Sequence, residues 1–102
     1  MAMEGRPDVK TTLQMRVGVP QHVVYRDFVS ETVLLNIQTG QYHGLNPTAG
    51  RMLTVLDKVS SVEEAAKQLA QEFEQPVGRI EEDLSEFCAG LLERKLLEIR
   101  ES

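Results

Sequence analysis

Two periods govern the apolar residues of this chain, and the change from one to the other falls at Asn46-Pro47. Upstream, Leu13, Met15, Val17 and Val19 alternate with Gln14, Arg16 and Gly18, the period of two that a half-buried strand requires. Pro20 has no N–H to give to a central ladder, so it ends or bends this strand. Val23 to Phe28 and Glu31 to Ile37 are rich in β-formers and predict two more strands, joined by Val29-Ser30. Gln38-Thr39-Gly40 predicts a compact turn, with glycine available for positive φ, and Gln41 to Leu45 predicts a strand that pairs back as the end of a meander. Gly44 within that strand predicts a bulge or the close approach of another backbone.

Downstream the apolar residues recur every three or four positions. Asn46 is a favoured helix cap, because its side chain accepts from a first-turn amide, and Pro47 carries no N–H to leave unpaired. The first helix buries Ala49, Met52, Leu53, Val55 and Leu56. Ser60 or Ser61 caps a second helix, Ser61 with Glu64 having capping-box spacing, and the inner face of that helix is Ala65, Ala66, Leu69, Ala70 and Phe73. Pro76 opens a third, with Ile80, Leu84, Phe87, Cys88, Leu91 and Leu92 in helical register. Leu96, Leu97 and Ile99 close the chain as a short extended or frayed segment. The expected class is α+β and winged-helix-like: a small antiparallel sheet of three to four strands followed by three helices. Polar residues 1–12, with Gly5 and Pro7, predict a flexible N-terminal tail, and 13–102 a single domain.

Composition narrows the function more than the fold. The chain has 102 residues, enough for one modest core, and its 41% apolar content excludes a disordered polymer. No apolar run approaches the ~18 residues of a membrane span, and the N-terminus lacks the apolar core of a signal peptide. A single cysteine, Cys88, fits a reducing cytoplasm. The net charge of −5 argues against a nucleic-acid backbone as partner.

Catalysis finds little support. Cys88 lies between Phe87 and Leu91 on an apolar helical face, where a small buried thiol is the better reading than a nucleophile. His22 and His43 lie on or beside strands, without a partner at ligand spacing, so neither a metal nor another cofactor is expected. Glu81, Glu82, Asp83 and Glu86 sit where a helix dipole favours acids, with Arg94 and Lys95 at the other end. Those same acids oppose a winged-helix DNA-binding or regulatory role, because a recognition helix presents Arg, Lys, Asn or Gln. Peptide binding remains: an edge strand carries unpaired N–H and C=O groups that an extended peptide completes, and a strand running straight into a helix makes a groove. The pattern leaves open whether a helix, a dimer mate or a partner enzyme covers that edge instead.

Gly40-Gln41-Tyr42 after Val33-Leu34-Leu35-Asn36, followed by Leu45-Asn46-Pro47-Thr48-Ala49-Gly50, resembles the PqqD-like proteins. The resemblance continues through Ser61-Val62 and Ala65-Ala66 to Leu69, and resumes at Asp83-Leu84 with Phe87, Leu91 and Leu96-Leu97. It covers about Leu13 to Glu98, and its Leu-Asn-x-Thr-Ala-Gly core is the specific part. The opening Val17-x-Val19-Pro20-x-His22-Val23 resembles the stand-alone recognition proteins of lasso-peptide clusters. The resemblance implies a non-catalytic recognition element that holds the leader segment of a ribosomal precursor peptide as an added strand. It further implies delivery of that leader to a cysteine peptidase and a cyclase. Carried over by position, Gln41, Tyr42, His43, Gly44 and Leu45 offer the main-chain edge, and Asp83, Leu84, Phe87 and Leu91 the opposite wall. Among these, Leu84 and Leu91 are expected to be core.

Overall fold

The structure is a computed structural model that describes residues 8–100. Its elements in chain order are α1 (Val9–Leu13), β1 (Val17–Gly18), β2 (Val23–Asp27), β3 (Thr32–Asn36), β4 (Gln41–Leu45), α2 (Pro47–Val59), α3 (Val62–Phe73), α4 (Val77–Glu93) and β5 (Glu98–Ile99). Strands β2, β3 and β4 form an antiparallel meander in that order, and β1 pairs with β5 in a separate two-stranded ribbon. The fold is α+β, as the two periods require.

The meander has a continuous register, Val23 opposite Asn36 and Thr32 opposite Leu45 marking its limits. Val33 pairs directly with Gly44, so Gly44 is not a bulge. The β3–β4 turn closes on Gly40, at φ +78°, and the Asn36 side chain accepts from the amides of Gln38 and Thr39 at 2.9 and 3.2 Å. Leu34, fully buried, lies at the centre of the sheet's inner face, beneath which α2, α3 and α4 supply Leu53, Leu56, Leu69 and Leu84.

Helix α2 starts where the cap residue dictates: Asn46 Oδ1 accepts from the Ala49 amide at 2.8 Å, and Pro47 follows at the first helical position. Asn46→Ala is therefore expected to lower stability by about 1 kcal/mol. An unchanged denaturation midpoint would show that the cap contributes nothing. Ser61 Oγ accepts from the Glu64 amide at 3.2 Å and starts α3, whose outer Glu72 takes a two-pronged ion pair from Arg51 of α2. Between α2 and α3 the chain turns through Ser60 at φ +67°, a strained position for a residue with a side chain, and the Ser60 carbonyl accepts from Val17.

The N-terminal part differs from the sequence expectation. Residues 1–7 lie outside the described residues, but Asp8 caps a one-turn helix, α1, and Thr12 is buried against α4, with Ser85 Oγ donating to Thr12 Oγ1 at 3.2 Å. Residues 8–12 thus belong to the packed fold and not to a tail. The strand expected from Leu13 to Val19 shrinks to Val17–Gly18. The alternation there is real, but it reports an extended segment crossing the α2–α3 turn, where the Met15 carbonyl accepts from Val62. The closing segment, expected to be extended or frayed, is anchored: Leu96 and Leu97 are buried, and Glu98–Ile99 pair with β1.

Candidate functional site

The direction of each main-chain group on β4 follows from the ladder beside it. Phe28 N–H donates to Glu31 at 2.7 Å and Ile37 N–H to His22 at 2.8 Å, so these two pairs bracket β2 and β3 as hydrogen-bonded pairs. Antiparallel ladders alternate, so Val33 and Leu35 point their main-chain groups at β2, while Thr32, Leu34 and Asn36 point theirs at β4. Their partners Leu45, His43 and Gln41 are turned inward to β3. Tyr42 and Gly44 are left with N–H and C=O directed at the open side of the sheet, without a partner among the described residues. Tyr42 and Gly44 are both exposed, and no helix among the described residues covers this edge.

Side chains on β4 follow the same parity except at the strand start, where Gln41 is exposed. His43 and Leu45 are half-buried on the inner face, whereas Gln41 and Tyr42 are exposed, Tyr42 by 71%. Because α2 follows β4 without a break, its first turns carry the edge onward to the helical layer. Thr48 and Met52 of α2 share a cavity of about 220 Å³ with Phe73, Arg79, Ile80 and Asp83. Asp83 stands on the rim, 3.5 Å from Arg79 in an exposed ion pair one helical turn away. Phe87 is half-buried one turn further along α4, packed against the core. Leu84 and Leu91 are core, 0% and 3% exposed, and offer no surface to a ligand. Thus of the four helical positions carried over, Asp83 lines this cavity and Phe87 packs half-buried against the core. Thr48, Met52, Phe73, Arg79 and Ile80 were not among the carried-over positions. For Thr48 the signal was present, since the cap at Asn46 fixes which first-turn residues follow the strand end.

The sheet's other face is also apolar. Val24, Phe28, Val33, Leu35 and Tyr42 surround a shallow concavity of about 330 Å³ with Arg26 on its border.

Elsewhere Tyr25, Asp57 and His22 have structural partners. Tyr25 donates to Asp57 Oδ2 at 2.8 Å, and the Val19 amide donates to the other oxygen at 3.3 Å, tying the sheet and β1 to α2. Burial, with the Asp57 bond adding, pushes the Tyr25 phenol up to about 12. Cys88 is fully buried, and burial alone pushes its thiol up to about 12, so it is held protonated. His22 Nε2 lies 3.0 Å from the Lys95 carbonyl. No group of three or more metal-ligating side chains gathers among the described residues, and no helix is long and apolar enough to cross a membrane.

Comparison with solved structures gives three similar folds. The first, TbiB1 in complex with the TbiA(beta) leader peptide, is 29% identical, with a TM-score of 0.74 over 83% of this chain and 99% of that one. The second, a lasso peptide synthetase B1 complexed with the leader peptide, is 23% identical, with a TM-score of 0.72 over 81% and 98% of the two chains. The third is the PqqD truncation of Methylobacterium extorquens PqqCD, representing a stand-alone recognition element for ribosomally synthesised and post-translationally modified peptides. It is 26% identical, with a TM-score of 0.68 over 81% and 88%. Comparison with curated protein sequences returns no match. Residues 31–97, from the residue before β3 to the buried Leu97, match the family of coenzyme PQQ synthesis protein D, and on that match the chain belongs to the PqqD family.

Proposed function

We propose that this protein is a non-catalytic adaptor that binds the leader segment of a ribosomal precursor peptide and presents it, in the cytoplasm, to the enzymes that process it. In the finer form of the proposal those enzymes are the leader peptidase and the cyclase of a lasso-peptide pathway. One observation carries the reading: Tyr42 and Gly44 hold main-chain donors and acceptors without a partner among the described residues, on an exposed edge followed directly by a helix whose Thr48 and Met52 line a cavity. A peptide laid along β4 would pair with both residues. Its side chains opposite His43 and Leu45 would turn inward toward Met52, Ile80 and Phe87, favouring apolar residues at every second leader position. Support also comes from TbiB1, which shares the fold at 29% identity and was solved with a leader peptide. The acids on the outside of α4 give DNA no counterpart.

The test is a titration of isotope-labelled protein with the leader of its cognate precursor, followed by amide shifts. The expected result is large shifts at Tyr42 and Gly44 and along α4 from Arg79 to Phe87. Shifts confined to α3 or the N-terminal residues, with Gln41–Leu45 unmoved, would overturn the proposal.

A further inference from the structure

Gly44 is a glycine that the fold does not require. It sits in regular strand pairing opposite Val33, and its φ lies outside the left-handed region that favours glycine. A side chain there would point to the outer face of the sheet, where a Cβ would meet only one atom, Oε1 of Glu31, at 3.2 Å. Glu31, exposed on the β2–β3 turn, thus reaches diagonally across the outer face toward the open edge, and no cation among the described residues pairs with it. The missing side chain leaves a notch in the edge strand, and a carboxylate stands at its back.

Resting on the leader-binding reading, we infer that Gly44 and Glu31 form a specificity site for a basic residue of the bound peptide. Gly44 presents its main-chain groups to the added strand, so the peptide residue opposite it carries its own side chain on the same outer face. An ordinary side chain at position 44 would stand between that residue and the sheet. With glycine there, a lysine or arginine can lie across the edge strand, its stem over the Gly44 backbone and its charge on the Glu31 carboxylate. Two positions along, the outward neighbour is Tyr42, an exposed ring that suits an apolar or aromatic residue. The chain's net charge of −5 draws a basic peptide in the same sense.

The experiment selects a displayed library of random twelve-residue peptides on the whole protein and on Glu31→Gln and Glu31→Lys variants. The groove is checked by loss of each selected peptide's binding to Tyr42→Pro. The expected result is one fixed Lys or Arg in edge-dependent peptides from the native protein. That preference should vanish on Glu31→Gln and turn acidic on Glu31→Lys. For one such synthetic peptide, replacing the base by alanine should weaken calorimetric binding about 5-fold to the native protein and less than ~2-fold to Glu31→Gln. Gly44→Val, which fills the notch, should erase the same preference while the melting curve stays cooperative. Edge-dependent peptides without a basic position, or with equal losses on both proteins, overturn this inference and leave the leader-binding reading standing. A selection that yields no peptide sensitive to Tyr42→Pro overturns both.

Discussion

Tyr42→Pro is expected to reduce leader affinity by roughly 30- to 100-fold in a protein that still folds, whereas His43→Pro is expected to damage the fold itself. The difference follows from ladder parity. The Tyr42 N–H points away from β3, so proline removes no internal bond, and an edge strand tolerates it on that side. The His43 N–H is turned toward Leu34 in the β3–β4 ladder, where proline deletes a bond and crowds the neighbouring strand. For the leader, Tyr42→Pro removes one donor and leaves a peptide carbonyl facing a ring at a strand spacing of ~4.8 Å. A lost hydrogen bond with a stranded acceptor costs about 2–3 kcal/mol, and each 1.4 kcal/mol is a factor of ten. Tyr42→Ala, which keeps the amide, separates main chain from side chain and should lose far less. Calorimetric titration gives the affinities and circular dichroism the fold. Native affinity in a folded Tyr42→Pro variant would mean that no strand adds at this edge.

What the sequence could and could not say is clearest on β4 itself. Alternation alone implied that only one of Tyr42 and His43 directs its amide outward, but not which, because the answer depends on how β2, β3 and β4 pair. The strands and helix starts were legible because their signals are local: Gly40 at its turn, Asn46 and Ser61 at their caps. The helix at Val9–Leu13 was not, because one polar turn is held by a contact with Ser85, 73 residues away. On α4 the same apolar stripe contains Leu84 and Phe87. Periodicity cannot rank them, and only the packing of α1 and α3 on that helix buries the first fully and leaves the second half-buried. The cavity beside Asp83 draws on the end of α3 and the start of α2 and α4, three stretches whose meeting no local pattern announces.

Gly50→Ala is expected to destabilise the protein by about 2 kcal/mol, against the usual gain of about 1 kcal/mol when alanine replaces glycine inside a helix. Gly50 is buried in the first turn of α2, where the helix crosses β3 at close range. A Cβ there would overlap Thr32 Oγ1 and come within 2.9 Å of Thr32 Cβ. Thr32 cannot simply yield: it is 4% exposed, and its hydroxyl donates to Asp27 Oδ1 at 2.7 Å. Alanine therefore forces either a rotation that gives up this bond or a lift of α2 from the sheet. On a domain of this size a 2 kcal/mol loss appears as a fall of roughly 10 °C in melting temperature. Thr32→Ala in the Gly50→Ala background removes the overlapping hydroxyl and should recover part of the loss, a coupling that two independent sites would not show. A Gly50→Ala protein as stable as the native one would refute the close contact. The consequence reaches function through geometry: Asn46 sets where α2 begins, Gly50 how near it lies to β3, and Thr48 and Met52, carried on the same turns, line the cavity shared with α3 and α4. In the Leu-Asn-x-Thr-Ala-Gly segment, then, the cap and the glycine set where the helix begins and how near it lies to the sheet. They hold the helical wall at a fixed distance from the strand, so Gly50→Ala should also weaken leader binding, and the Thr32→Ala partner should restore both together.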